Sequence, residues 1–176
     1  MKKLYPLLPL LLFIISCSKP INDESLVERN GIYYQVNSET PYSGKSFTLH
    51  DNGQKYYERS FKDGKQFGLE TLWFKNGQKR EEGTWNENGK QDGLYTTWYK
   101  NGQKRLEVNY KNGKKMSETK WYSGGQKLSK WSFMGGELDE LETNWYENGQ
   151  KSSELTYKDG KVFSSKKWNE DGSVKE

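Results

Sequence analysis

The sequence predicts an all-β protein: an elongated array of antiparallel β-hairpins making a single twisted meander sheet. Three observations carry that prediction. The first is a recurring tetrapeptide, Asn52-Gly53-Gln54-Lys55, which returns at Asn76–Lys79, Asn101–Lys104 and Asn148–Lys151. A degenerate copy stands at Gly124-Gly125-Gln126-Lys127 and an echo at Asp171-Gly172-Ser173. The glycines lie 24, 25, 23, 24 and 23 residues apart, a fixed period that signals a stacked repeat. The second is another series of turn dipeptides between them: Asp63-Gly64, Asn88-Gly89, Asn112-Gly113, Gly135-Gly136 and Asp159-Gly160. Asn-Gly and Asp-Gly are strong hairpin signals because both residues tolerate positive φ. The third is the composition between turns, rich in Trp, Tyr, Phe and Thr, with no 3.6-residue periodicity after residue 25.

The chain starts with Lys2-Lys3 and an apolar run from Leu4 to Ile15. That run is shorter than the roughly 20 apolar residues of a spanning helix and has the layout of a secretory signal peptide. It closes on Ile14-Ile15-Ser16-Cys17, which resembles the bacterial lipoprotein signal. The resemblance implies cleavage between Ser16 and Cys17 and a lipid on Cys17, so that a membrane becomes a partner through the N-terminal lipid. In that family an Asp after the cysteine retains the protein at the inner membrane. Ser18 stands there instead, which points to the outer membrane in a two-membrane cell, or otherwise to the outer face of the plasma membrane. Residues 1–16 are then a signal peptide, 17–27 a lipidated polar tether, and 28–176 a domain of five to six repeats. Cys17 is the one cysteine, so no intrachain disulfide can form. Loss of Lys2 and Lys3 leaves 26 basic against 24 acidic side chains, alternating in sign. That is no nucleic-acid footprint.

Within the repeats, aromatic residues form columns. Four residues before each turn glycine stand Trp73, Trp98, Trp121, Trp145 and Trp168, and three before it Phe74, Tyr99, Tyr122 and Tyr146. Eight after it stand Phe61, Trp85, Tyr110, Phe133 and Tyr157. Loop length decides which columns share a face. A two-residue Asn-Gly loop sets the Trp column against the second-strand aromatics. A three-residue loop, Lys75-Asn76-Gly77 for example, with a type I turn and a left-handed glycine, unites them. The three-residue loop gives the more amphipathic split. It places Leu69, Thr71, Trp73 and Trp85, or Leu94, Thr96, Trp98, Leu106, Val108 and Tyr110, on one face. Glu58, Glu82, Glu107 and Glu154 then join the Tyr column on the other. With 31% apolar residues, 30% charged and a mean hydropathy of −1.13, a two-layer sandwich lacks the side chains it would bury.

Two segments carry a family resemblance: Gly68-Leu-Glu-Thr-Leu-Trp-Phe-Lys-Asn-Gly-Gln-Lys79 and Gly93-Leu-Tyr-Thr-Thr-Trp-Tyr-Lys-Asn-Gly-Gln-Lys104. They resemble the bacterial variant of the MORN repeat. The likeness runs over residues 28–176, is strongest at 44–114 and weakens at 123–140, where Lys130 replaces the repeat's Glu. It implies a scaffold without catalysis. Many members of that variant carry the label of YwqK-type antitoxin components, which implies an antitoxin or immunity role as the alternative, set against an export signal that removes this chain from the cytoplasm.

No catalytic constellation is present in the sequence. His50, the lone histidine, stands in the Tyr column and reads as a turn-edge substitute; no Cys, His or carboxylate cluster has metal-ligand spacing, and no cofactor is implied. The glutamate column recurs once per repeat among lysines and reads as a solvated ladder. The turn lysines Lys55, Lys79, Lys104, Lys127 and Lys151 are offset by nearby acids. The candidate binding stripe is the column Trp73, Trp98, Trp121, Trp145 and Trp168. It serves either as the seam of the array or as a groove for a protein or glycan partner.

Overall fold

The computed structural model describes residues 19–134, 137–158 and 160–175, with side chains for those outside 134–140. Cys17, Ser16 and the signal-like segment lie outside the described residues. Strands β1 (Ile21–Asn22), β2 (Leu26–Arg29), β3 (Ile32–Gln35), β4 (Gly44–Leu49) and β5 (Lys55–Lys62) open the chain. Next come β6 (Lys65–Gln66), β7 (Gly68–Trp73), β8 (Lys79–Trp85), β9 (Gly93–Trp98) and β10 (Lys104–Lys111). The last are β11 (Lys114–Trp121), β12 (Lys127–Met134), β13 (Glu137–Trp145), β14 (Lys151–Lys158) and β15 (Lys161–Lys167). From β4 to β15 each long strand pairs antiparallel with the next, in one sheet of 13 strands counting β1 and the short β6. The array of hairpins is therefore as the repeat period predicts.

Every Asn-Gly-Gln-Lys turn has the three-residue form. The Gly77 amide donates to the Phe74 carbonyl at 2.9 Å, and the Phe74 amide to the Gln78 carbonyl at 2.8 Å. Gly77 has φ +82°, the left-handed residue that follows a type I turn. The opposite edge of the sheet uses two-residue turns with both residues left-handed, such as Asp63 (φ 50°) with Gly64 (φ 74°) and Asn112 (φ 51°) with Gly113 (φ 80°). Asn88-Gly89 departs from these: it closes a three-residue loop through Gly89 N–H to Asn86 O at 2.9 Å. That extra residue belongs to the repeat with the 25-residue spacing.

The faces differ from the amphipathic split expected above. Immediately after each turn lysine one residue is inserted into the second strand. Trp73 pairs with Lys79 and Leu72 with Glu81, so Arg80 is the extra residue. Tyr56, Arg105, Leu128 and Ser152 are its counterparts. Side chains alternate with a period of two, so one inserted residue exchanges the faces of the rest of that strand. Glu82 consequently stands opposite Thr71, and Trp85 opposite Gly68. The glutamates share the Trp and Thr face, in a row Glu58, Thr71, Glu82, Thr96, Glu107, Thr119. Trp85, Leu106, Val108 and Tyr110 occupy the other face, with Val108 between Tyr95 and Glu118.

Little of this sheet is covered. Among the described residues the buried apolar side chains are Tyr42, Phe61 and Val108, joined by small polar ones such as Ser46, Thr71, Thr96 and Ser129. A single layer gives each side chain only in-plane neighbours, and those favour threonine and serine, which fill narrow gaps.

The N-terminal edge is sealed by a lock that begins in the segment read as tether. Ile21 and Asn22 pair parallel with Ser46 and Phe47, so the tether is shorter than its polar sequence suggests. Asp23 accepts from Ser46 Oγ at 2.7 Å and from Nε and Nη2 of Arg59. That guanidinium lies 4.7–5.3 Å from the rings of Tyr33, Tyr57 and Phe61. The β2–β3 hairpin closes over it: Tyr33 N–H bonds the Gly64 carbonyl and Gly64 N–H the Tyr42 carbonyl, each at 2.8 Å. Burial pushes the Asp23 carboxyl up, but bonds from Tyr57, Ser46 and Arg59 outweigh it and hold the pKa below the usual range.

Two glycines separate backbone strain from packing. A Cβ on Gly149 (φ +84°) meets nothing within 4 Å, whereas one on Gly64 (φ +74°) would lie 2.3 Å from Ile32 Cγ2 and 2.9 Å from the Tyr33 carbonyl. Gly149→Ala should cost about 1–2 kcal/mol, the strain of a left-handed alanine. Gly64→Ala should cost distinctly more. Urea unfolding of the two variants checks this, and equal costs would contradict the packing of the N-terminal hairpin on Gly64.

Candidate functional site

The asparagine, glutamine and lysine of Asn-Gly-Gln-Lys reach the following repeat, with Asn76 the exception. The asparagine holds its own turn by accepting from the amide two residues on, as Asn101 Oδ1 does from Gln103 N–H at 3.0 Å. Its Nδ2 reaches the next turn: Asn52 to the Lys75 carbonyl, Asn101 to Ser123 and Asn148 to Glu170, at 2.8, 2.8 and 2.7 Å. The glutamine lies against the next glycine, with Gln103 Oε1 only 3.1 Å from where a Cβ on Gly125 would stand. The lysine extends over the next tryptophan. Nζ of Lys55, Lys79, Lys104, Lys127 and Lys151 stands 5.6–5.9 Å from the ring centres of Trp73, Trp98, Trp121, Trp145 and Trp168. Four of these lysines also bond the glutamate three residues on: Glu58, Glu82, Glu107 and Glu154. Lys127 has Lys130 at that position. All five tryptophans are half-buried.

The Tyr column makes a second set of rungs. Tyr99, Tyr122 and Tyr146 donate their hydroxyls to the carbonyls of Trp121, Trp145 and Trp168 at 2.8, 3.0 and 2.9 Å. His50 does the same through Nε2 to the Trp73 carbonyl at 2.9 Å, as expected of a turn-edge substitute. A carbonyl only accepts, so Nε2 carries the hydrogen.

Both rungs are missing at one place. Phe74 has no hydroxyl to offer Trp98, and Asn76 Nδ2 bonds its own turn's Gln78 at 3.0 Å. Beside this gap lies a cleft of about 490 Å³, lined by His50, Trp73, Phe74, Lys75, Asn76, Arg80 and Lys100. No carboxylate is among them. A second cleft of about 390 Å³ is lined by Tyr95, Tyr99, Leu106 and Trp121 among others, and includes Glu81. Arg80 and Lys100 were not singled out from the sequence. The signal was there in the departures from the repeat: Phe for Tyr at 74, and lysines at 75 and 100 where other turns carry Asp51, Ser123, Glu147 and Glu170.

The charged groups are structural in their settings. Burial pushes the Glu118 carboxyl up, but the ammonium groups of Lys115 and Lys120 prevail and leave it below its usual range. Burial, with the Glu81 carboxylate that accepts its hydroxyl at 2.7 Å, raises Tyr95 well above the phenol range, so it remains a donor. Among the described residues no group of three or more His, Cys, Asp or Glu side chains is placed to hold a metal ion.

Glu118 connects these pairs to pH. Its folded pKa lies below the ordinary 4.5, so its ion pairs contribute stability above that value and lose it as pH falls through the folded pKa. Glu118→Gln should cost about 1–2 kcal/mol at neutral pH. The gap to wild type should narrow in urea titrations as pH falls below 4.5 and through the folded pKa of Glu118. A constant gap would mean that the charge on Glu118 is not what stabilises the site.

A family profile described as MORN repeat variant matches residues 91–112 and 141–159. No curated protein matches this chain. The matched segments hold the turns at Gly102 and Gly149, so over two of its hairpins the chain is similar to that repeat.

Proposed function

We propose that this protein is a non-catalytic binding scaffold, held at the cell envelope by a lipid on Cys17, that presents its repeat sheet to a protein or glycan partner. The observation that carries the reading is the pairing of a lipoprotein-like Ile14-Ile15-Ser16-Cys17 with a repeat sheet that is little covered among the described residues. The likeness to MORN repeat variants supports the scaffold. On this reading a lipid on Cys17 would hold the array close to the membrane, since the first strand begins at Ile21. One acyl chain anchors marginally and two hold firmly, since each buried CH₂ contributes about 0.8 kcal/mol.

In this reading the tryptophan column serves the array. Each indole lies under the preceding repeat's lysine, and its backbone carbonyl receives the preceding Tyr or His wherever that rung exists. A partner would have to displace those lysines to reach the rings.

Two experiments test the proposal. Cys17→Ala should move the protein from the detergent phase to the soluble fraction. Unchanged partitioning with an intact N-terminus by mass spectrometry sinks the anchor. Trp98→Ala should lower stability by about 3 kcal/mol, the low end for a large aromatic because the ring is half-buried. A variant of full stability that no longer captures an envelope partner would instead make the column the binding groove.

A further inference from the structure

The cleft beside Phe74 is where the repeat breaks its own rules, and the departures converge in space. Three consecutive turns of one edge supply it: His50 from the first, Phe74, Lys75 and Asn76 from the second, Lys100 from the third. Arg80, the inserted residue of β8, completes the lining. Elsewhere the column residue is a hydroxyl or imidazole that bridges to the next repeat; here it is a phenyl ring that bridges nothing. Elsewhere the asparagine ties neighbouring turns; here it folds back on Gln78. Two rungs are missing, and of the three cations on the cleft Lys75 and Arg80 each have a carboxylate partner while Lys100 has none among the described residues; the array itself requires no such convergence.

We propose that this cleft binds an acidic saccharide, a pyranose ring carrying a carboxylate. Arg80 is prepared for the carboxylate. Its Nε donates to Glu81 Oε1 at 3.0 Å, so the two Nη ends of the fork have no carboxylate partner among the described residues, and its guanidinium is steadied 5.4 Å above the Tyr56 ring. A planar fork matches a carboxylate in bidentate fashion. Lys100 has no ion pair among the described residues and adds a second positive charge, while Lys75 is held by Asp51 at 2.7 Å. Phe74 offers an apolar surface for the C–H face of a sugar ring. His50 Nδ1 has no partner among the described residues and is able to bond a ring hydroxyl.

The backbone provides no amide nest for a phosphate. Phosphate sites converge several free amides on one point. Here the amides of Phe74, Gly77 and Gln78 are all spent inside the turn, on Gln78 O, Phe74 O and Asn76 Oδ1. An acidic peptide strand has no ladder to join, because the cleft is bounded by turn tips and not by a free strand edge. The inference deepens the scaffold reading and rests on it, but it does not depend on the lipid.

The test uses the full chain in detergent micelles, titrated with glucuronate, glucose and inorganic phosphate and followed through backbone amide chemical shifts. Glucuronate should shift the amides of Phe74, Lys75, Arg80 and Lys100, and glucose should not. Added salt should weaken the effect. Arg80→Gln and Lys100→Gln should each weaken glucuronate about tenfold, the loss of one charge-assisted contact. Arg80→Lys keeps the charge without the fork and should also weaken it. Phe74→Tyr, which restores the hydroxyl rung, should close the cleft and weaken it too. Lys111→Gln, the same loss of charge at the opposite edge, should leave it unchanged. Glucose matching glucuronate, phosphate matching or exceeding it, shifts confined to other repeats, or no shift at all would each overturn the site. The envelope reading would survive any of these, because it is decided by Cys17→Ala.

Discussion

One inserted residue per repeat governs what the two faces of this sheet can carry. The residue after each turn lysine has no partner of its own on the first strand, and its presence turns the rest of the second strand over. Without it the glutamates would stand on the face away from the tryptophans, and the turn lysine could not reach both its own glutamate and the next indole. With it, lysine, glutamate and tryptophan share one face, and the lysine bridges two repeats. The inserted positions themselves, Tyr56, Arg80, Arg105, Leu128 and Ser152, face away and have no task in the ladder, which leaves them free to differ.

A single layer cannot rely on a thick core, so cohesion comes from nearest neighbours. An exposed cation over an aromatic ring is worth about 0.5–1 kcal/mol, a surface ion pair at most about 1, and a side-chain hydrogen bond about 1. None of these holds the array alone. Each is repeated at almost every junction, in the manner of a one-dimensional stack in which stability adds by interface. The junction between the turns at Gly77 and Gly102 lacks two of the usual bonds, and it is there that a cleft lined by unlike side chains is found.

The sequence was legible wherever the information was local and periodic. The meander and the left-handed turn glycines follow from residues within a few positions of one another, and the repeat period places His50 in the Tyr column. Face assignment failed beyond the loop because nothing in Lys79-Arg80-Glu81 announces an inserted residue; the alternation reads equally well with or without it. The N-terminal lock was illegible for another reason. Asp23 and Arg59 are far apart in the chain, and Ser18–Glu24 has the composition of a linker. The Arg80 and Lys100 cleft sits between these cases. Each departure from the repeat is visible in the sequence, but only the stacking of turns shows that they meet.

The two ends of the sheet would answer a mechanical load differently. At one end Asp23 and Arg59, enclosed by three rings, fasten the first residues to β4 and β5. At the other, every residue of β15 is exposed, and its lysines guard an edge that also shows Phe163 at 73% exposure. Tension drawn from end to end runs across the strands and loads the hydrogen bonds of each hairpin one pair at a time. Such a sheet peels from β15 inward, hairpin by hairpin, and lengthens in even steps set by the repeat. It behaves as an extensible strap with one secured end, not as a rigid post.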